Sequence, residues 1–208
     1  LLISFVLFAP LLPRLPAPPA TIADTFKLLT YEIIIGLFFG TVLRLLISTL
    51  EAAGNIIALQ TGLSNAQILN PAIGSPSVLP SVLLSIAGVT VIFVSGFDLV
   101  LLRSLAGIYD VFPPGGTLMP GDMAETIMQI TNKSFVTGIE LAMPFFVLGL
   151  LFYAVLGIMQ KLMPQIQLFM LAMPVQIWIG LMLLAITAAG MITVWMRYIG
   201  ATLSGLVR

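Results

Sequence analysis

Residues 162–196 read LMPQIQLFMLAMPVQIWIGLMLLAITAAGMITVWM, a run of 35 residues without a charged side chain. As one helix this run would be about 52 Å long at about 1.5 Å per residue, which exceeds the roughly 30 Å hydrocarbon layer of a bilayer. The whole chain is equally apolar, since 60% of its 208 residues are hydrophobic and only 8% are charged. Polar backbone groups in lipid must be paired within helices or closed barrels, and the sequence lacks the alternating ten-residue strands of a barrel. We therefore predict an all-α integral membrane protein with long helices.

The composition also limits the function. Eight Lys and Arg balance eight Asp and Glu, and no run of basic residues offers a footprint for nucleic acid. The absence of cysteine and histidine removes disulfides, thiolate ligands, the commonest metal ligand and the usual proton-transfer residue. Signatures of phosphate-binding, dinucleotide-binding, zinc-protease and serine-hydrolase sites are missing as well. We expect no enzyme, no metal and no cofactor, which leaves a transporter, a channel or a structural subunit.

Prolines, glycines and charges divide the chain into segments. The prolines between Pro10 and Pro19 predict an extended linker, after residues 1–9 that resemble the end of a truncated helix. Two alternatives stay open for residues 162–196: one tilted, protruding helix, or pieces broken at Pro164 and Pro174. The Pro- and Gly-rich residues 110–122 predict a loop. Helices are predicted from about Tyr31 to Leu50, from Ser77 to Gly96 with a continuation toward Tyr109, from Met123 to Lys133, and from Ser134 to Gln160.

Two charged residues, Arg44 and Glu140, lie inside apolar segments. Ionisable groups within a membrane are costly and are functional candidates for that reason. The alternative is that Arg44 reaches the interface along its aliphatic stem and that Glu140 lies at the interface. If residues 162–196 cross the membrane once, the uneven distribution of Lys and Arg predicts a cytoplasmic C-terminus.

Two further features concern packing. Gly36 and Gly40 form the spacing GLFFG, which lets two membrane helices approach closely. The stretch from Gln60 to Pro80 carries Asn65, Gln67 and Asn70 beside prolines, and these amides are costly in lipid. Such backbone either lines a cavity within protein or forms an external loop.

Three blocks of sequence resemble one known family. Residues 52–71, AAGNIIALQTGLSNAQILNP, resemble the signature of the family of the flagellar biosynthetic protein FliR. Residues 143–181 resemble its C-terminal block, and residues 104–116, SLAGIYDVFPPGG, are similar to its short aromatic-Pro-Gly connector. The matching positions are Gly54, Ile57, Gln60, Gly62, Leu63, Ser64 and Pro71 in the first block and Pro144, Leu156, Gly157, Pro164, Gln165, Phe169, Pro174 and Gly180 in the C-terminal block.

The resemblance implies a non-enzymatic subunit of the flagellar type III protein export gate, related to an injectisome subunit. It implies a place in the bacterial inner membrane, at the flagellar basal body, with FliP and FliQ subunits and FlhB as partners and unfolded export substrates as cargo. It also implies a FliP-like part over residues 1–133 and a FliQ-like helical hairpin over residues 134–208. The hairpin tip would lie at residues 161–165.

Particular residues receive roles from the resemblance. The segment over residues 64–80 would plug the export channel. This sequence departs from the family at Asn65 and Ile68, where Phe is frequent, and at Asn70, where Asp is usual. The plug candidates are Asn65, Ile68, Leu69, Asn70, Pro71 and Gly74. The candidates for helix packing or assembly are the glycine pair Gly36 and Gly40 together with Gln60, Gly62, Pro164, Gln165 and Pro174.

The leading hypothesis is therefore a scaffold and gate of an export channel. One alternative is a secondary transporter with a helix broken at Pro164 and Pro174, although the two halves of the chain show no convincing internal repeat. Another is a purely structural anchor for an unrelated complex, for which deleting the plug segment would have no effect.

Overall fold

The computed structural model describes residues 21–64, 79–113, 116, 120–162 and 168–206. Within these ranges all regular structure is helical, which confirms the predicted all-α class. The helices are α1 (Ile22–Gln60), α2 (Leu79–Val94), α3 (Phe97–Val111), α4 (Pro120–Leu162) and α5 (Leu168–Leu206).

Helix α1 begins at a side-chain cap. The Oγ1 atom of Thr21 accepts a hydrogen bond from the amide of Asp24 at 3.2 Å, and the Asp24 carboxylate lies in the first turn. A hydroxyl acceptor and a negative charge both stabilise the unpaired amides of a helix N-terminus.

The predicted end of this helix near Leu50 is wrong, because residues 51–60 continue it. Ala53 and Ile57 are fully buried, whereas Asn55 is exposed. At about 3.6 residues per turn, apolar and polar side chains separate onto opposite faces of one helix. The polar residue Asn55 therefore lies on an exposed face of the helix and does not end it.

Helix α4 is also longer than predicted. It runs without interruption from Pro120 through Lys133, so the predicted short helix over residues 123–133 and the predicted helix over residues 134–160 are one element. Pro120 suits the first turn, since the amide that it lacks would have no intrahelical partner there. The predicted loop over residues 110–122 is accordingly shorter than expected.

Helix α5 decides part of the open question about residues 162–196. Pro174 lies inside a continuous helix, so it does not break the run. One proline removes one backbone hydrogen bond, and the remaining turns keep the helix together. Pro164 lies outside the described residues, as do the other residues of the predicted hairpin tip between Leu162 and Leu168.

The predicted helix from Ser77 to Gly96, with its continuation toward Tyr109, is broken by a sharp bend. Helices α2 and α3 meet at 81° across Ser95 and Gly96. Gly96 has φ 70°, a left-handed conformation that costs glycine little because it has no Cβ. The pair is therefore a broken span or a re-entrant segment.

The helices are long and apolar enough for a membrane. By length and composition, α1, α4 and residues Ala172–Leu206 of α5 can each cross a bilayer, and the bent pair α2 and α3 can form a fourth crossing. Large apolar side chains are exposed on their surfaces, including Ile33, Leu150 and Ile186. Contiguous exposed apolar surface of this kind needs lipid or protein against it. The chain is a membrane protein.

The chain forms two compact units. The first comprises Leu1–Leu46, Ile92–Asn132 and Tyr198–Arg208, and the second comprises Ile47–Val91 and Lys133–Arg197. In the first unit, the hydroxyl of Tyr109 donates a hydrogen bond of 2.8 Å to the carboxylate of Glu32.

The second unit has a dense core. Trp195 and Leu50 are fully buried and lie against Gly88 of α2. A Cβ on Gly88 would come within 3.0 Å of the Trp195 ring, so this glycine allows α2 to approach the core closely.

Candidate functional site

The candidate site is the C-terminal end of α1, in the second unit. The helix ends at Gln60, and residues Thr61–Ser64 form a turn that we call the exit turn, because the chain leaves α1 there. Gly62 has φ 75°, which only glycine adopts without strain and which ends many helices. The turn begins the polar stretch that the sequence singled out.

The last four carbonyls of a helix have no intrahelical partner and need other donors. Here the amide of Thr61 donates to Ile57 at 2.9 Å, that of Ser64 to Ala58 at 3.2 Å, and that of Gly62 to Leu59 at 3.3 Å. Backbone bonds thus satisfy the carbonyls of residues 57–59. The carbonyl of Gln60 is the fourth.

A side chain from α5 satisfies this fourth carbonyl. The Nε2 atom of Gln176 donates a hydrogen bond of 2.7 Å to the Gln60 carbonyl, and it lies 3.4 Å from the hydroxyl of Tyr153 on α4. Gln176 is only 5% exposed. One buried amide therefore links the end of α1 to the two long helices beside it.

Two glycines make this approach possible. A Cβ on Gly180 of α5 would lie 2.7 Å from the Cβ of Thr61 and closer still to its methyl group, and Thr61 is 1% exposed. A Cβ on Gly149 of α4 would collide with the side-chain carbonyl oxygen of Gln60. A larger residue at position 180 would push the exit turn away, because Thr61 is buried and its Cβ cannot rotate aside, whereas one at position 149 would displace the Gln60 side chain.

The chain rejoins α1 when it resumes at α2. A Cβ on Gly54 would lie 2.5 Å from the backbone nitrogen of Ser81 and 2.9 Å from the carbonyl carbon of Pro80. The hydroxyl of Ser81 also donates to the carbonyl of Glu51 at 3.3 Å. The chain on both sides of residues 65–78 is thus attached to the last turns of α1.

Comparison with known proteins identifies the family. The model of the family described as bacterial export proteins, family 1, matches residues 1–202. The chain belongs to this export family. Its sequence is 33% identical over 195 residues to flagellar biosynthetic protein FliR of Caulobacter vibrioides, covering 93% of this chain and 78% of that protein. It is 30% identical over 192 residues to the FliR of Aquifex aeolicus, covering 90% and 73%.

A relative with a different name matches as well. Over 180 residues, this export-family chain is 29% identical to Yop proteins translocation protein T of Yersinia pestis, covering 84% of this chain and 69% of that protein. The resemblance to the FliR family seen in the sequence is confirmed.

The structure describes some of the predicted residues of this export-family protein and not others. Gln60 and Gly62 lie at the end of α1, within the candidate site. Pro174 lies on the exposed side of α5, near Gln176. The remaining candidates of the polar stretch and the hairpin tip lie outside the described residues, namely Asn65, Ile68, Leu69, Asn70, Pro71, Gly74, Pro164 and Gln165.

The other predicted residues lie apart from the site. A Cβ on Gly36 or Gly40 would meet no atom of the described residues within 4 Å. The pair therefore packs against none of the residues that the structure describes. Arg44 and Glu140 are both exposed on their helices. Among the residues that the structure describes, no three His, Cys, Asp or Glu side chains come together as a metal site.

The sequence reasoning gave no packing role to Gln176, Gly149 or Gly180, although Gly180 had matched the C-terminal block of the family. For Gln176 a signal was available, because it is the only amide side chain between residues 168 and 206. A lone amide in an apolar membrane helix needs a buried partner. Nothing in the sequence identified its partner as a backbone carbonyl of α1.

Proposed function

We propose that this chain is a non-enzymatic subunit of a bacterial type III protein export apparatus, of the flagellar kind. The observation that carries the proposal is the export-family match over residues 1–202, almost the whole chain. Relatives named as FliR, together with long apolar helices, support it. In this role the chain lies in the inner membrane at the flagellar basal body.

The exposed apolar surfaces support a role within a larger assembly. In this proposal, the partners of the chain are FliP and FliQ subunits and FlhB, and the assembly transports unfolded export substrates. Residues 1–133 correspond to a FliP-like part and residues 134–208 to a FliQ-like hairpin. Purifying the complex in mild detergent tests this directly: the native mass exceeds that of one chain, and the co-purifying chains are export subunits. A well-folded monomer in detergent would contradict the proposal.

Within this assembly, the segment over residues 64–80 obstructs the export channel at rest. The attachment of the chain to α1 on either side of residues 65–78 supports this role, because it ties the position of the segment to one helix. Opening such a segment costs a few kcal/mol when few buried contacts hold it. An unfolded substrate can supply that energy through its own contacts in the channel.

Deleting residues 67–74 tests the obstruction. We expect membranes that carry the assembled complex to become leaky to small ions and solutes. The matched control replaces the same eight residues with alternating Gly and Ser, which preserves the chain length while removing the Asn, Gln and Pro side chains. Unchanged ion conductance in the deletion variant, with normal assembly, would contradict the plug role.

An injectisome subunit is the second candidate, favoured by the 29% identity to Yop proteins translocation protein T. Deleting the gene in its native host separates the two. The flagellar role predicts cells without flagellar filaments and without swimming motility, whereas the injectisome role predicts motile cells that fail to secrete effector proteins.

A further inference from the structure

Gln176 is an unusual side chain for its place. It lies in an apolar helix that can cross a bilayer, yet its amide is buried within the protein. A buried amide is costly unless its donors and acceptor find partners. Its Nε2 donors reach the carbonyl of Gln60 at 2.7 Å and the hydroxyl of Tyr153 at 3.4 Å.

The shorter of these bonds goes to a particular atom. The Gln60 carbonyl is the terminal carbonyl of α1, and the backbone bonds of the exit turn serve the three carbonyls before it. Without Gln176, this carbonyl would lose that donor directly before Thr61, which is 1% exposed. A terminal carbonyl that loses its protein donor favours local opening of the exit turn.

We propose that Gln176 is a positioning residue that holds the exit turn against α4 and α5. It acts by hydrogen bonding and not by bulk, because Gly149 and Gly180 already provide the close contact. This inference rests on the proposed function, since the position of the exit turn matters for export only if the chain beyond it lies in the channel. Through Gln176, α5 would hold the exit turn in place although it lies more than one hundred residues away in sequence.

A single-cysteine reporter measures the position of the turn. The chain has no native cysteine, so Ser64→Cys gives a unique thiol at the end of the exit turn. The assembled complex in native membranes is labelled with a small maleimide, and the labelling rate is measured. Ser64 is half-buried and its amide is bonded to Ala58, so opening of the turn raises the rate.

Two substitutions are compared in this reporter background. Gln176→Met keeps a similar volume but removes the donors, and we expect labelling to rise about fivefold or more. Thr187→Val is the matched control. Thr187 is half-buried on α5, and its hydroxyl donates a 2.8 Å hydrogen bond to the carbonyl of Leu183 in the same helix. Because this bond does not reach the exit turn, we expect Thr187→Val to leave the labelling rate of Ser64→Cys unchanged.

Gln176→Glu adds a reversible test within one folded sample. A carboxylate only accepts hydrogen bonds, so the Gln60 carbonyl loses its donor at neutral pH. Lowering the pH protonates the carboxylate and restores one O–H donor. The labelling rate, divided by that of the Gln176 parent at the same pH, is therefore expected to fall toward one as the pH decreases.

The outcomes separate this proposal from the proposed function. Parent-like labelling in Gln176→Met, an equal rise in Thr187→Val, or a pH-independent ratio in Gln176→Glu would each overturn the positioning role. Ion leak and export are measured in the same membranes. Raised labelling with unchanged leak and export would uphold the positioning role and contradict the channel role of the segment beyond the turn.

Discussion

Replacing Gly54 with alanine tests whether the approach of α2 to α1 is as close as described. A Cβ in ordinary contact lies about 3.4–4 Å from its neighbours, whereas here it would lie 2.5 Å from the nitrogen of Ser81 and 2.9 Å from the carbonyl carbon of Pro80. These are backbone atoms, which cannot rotate away as a side chain does. The first turn of α2 must therefore move by about 1 Å.

The magnitude follows from three terms. Overpacking costs about 1–3 kcal/mol, and stretching the Ser81 hydrogen bond to Glu51 costs about 0.5–1.5 kcal/mol. Alanine is a better helix former than glycine by about 1 kcal/mol, which offsets part of the loss. We expect Gly54→Ala to lower the free energy of unfolding by about 1–3 kcal/mol.

Gly40→Ala is the matched control on the same helix. A Cβ there meets no atom of the described residues within 4 Å, so only the gain in helix propensity is expected, about 0.5–1 kcal/mol. The two variants should differ by about 2–4 kcal/mol, or roughly 4–16 °C in melting temperature for a chain of this size.

Tryptophan fluorescence during thermal unfolding in detergent measures this difference. Trp195 is fully buried in the same unit as Gly54, and Trp178→Phe in all variants removes the exposed second tryptophan. Equal melting temperatures for Gly54→Ala and Gly40→Ala would refute the reasoning, because they would mean that α2 does not contact α1 at this point.

Three further predictions concern a second glycine contact, a hydrogen bond in the first unit and an exposed carboxylate. Gly180→Ala should lower the melting temperature by an amount similar to Gly54→Ala. Gly190→Ala should not, because a Cβ there meets no atom of the described residues within 4 Å. Equal effects of the two substitutions would show that the exit turn is not packed against Gly180. Tyr109→Phe removes the donor of the 2.8 Å bond to Glu32 and should cost about 1 kcal/mol in unfolding free energy, seen by chemical denaturation, while Glu32→Gln keeps an acceptor and should cost less. Glu140→Gln changes an exposed side chain. If the complex assembles normally, a secretion assay should show protein export at the parent rate. Loss of a proton-coupled flux while the complex stays intact would favour the secondary transporter.

Composition predicted the helices better than it predicted their ends. Charge-free runs long enough to cross a bilayer indicated helices, and these helices are present. The boundaries failed where polar residues fall on an exposed helical face, as Asn55 does on α1. A boundary depends on whether the next turn finds a surface to pack against, and that surface comes from distant parts of the chain.

The candidate site was foreseen only in part. Gln60 and Gly62 were identified through family resemblance, and Gly62 ends α1 for a reason that is local to its own backbone. Gln176 was missed because its function is defined by its partner. A carbonyl at the end of a helix has no signature in the sequence, and its donor lies 116 residues away.

The amino-acid sequence by itself determined that this protein is helical and lies in lipid. Its few charged residues indicate a lipid environment, and backbone groups in lipid must be paired within helices, since the sequence lacks the pattern of a barrel. It did not determine where α1 ends, because the helix continues from the predicted end at Leu50 to Gln60. Only the tertiary structure decided which glycines allow close packing and which face open space. That choice depends on the atoms opposite each glycine, and local sequence does not encode them.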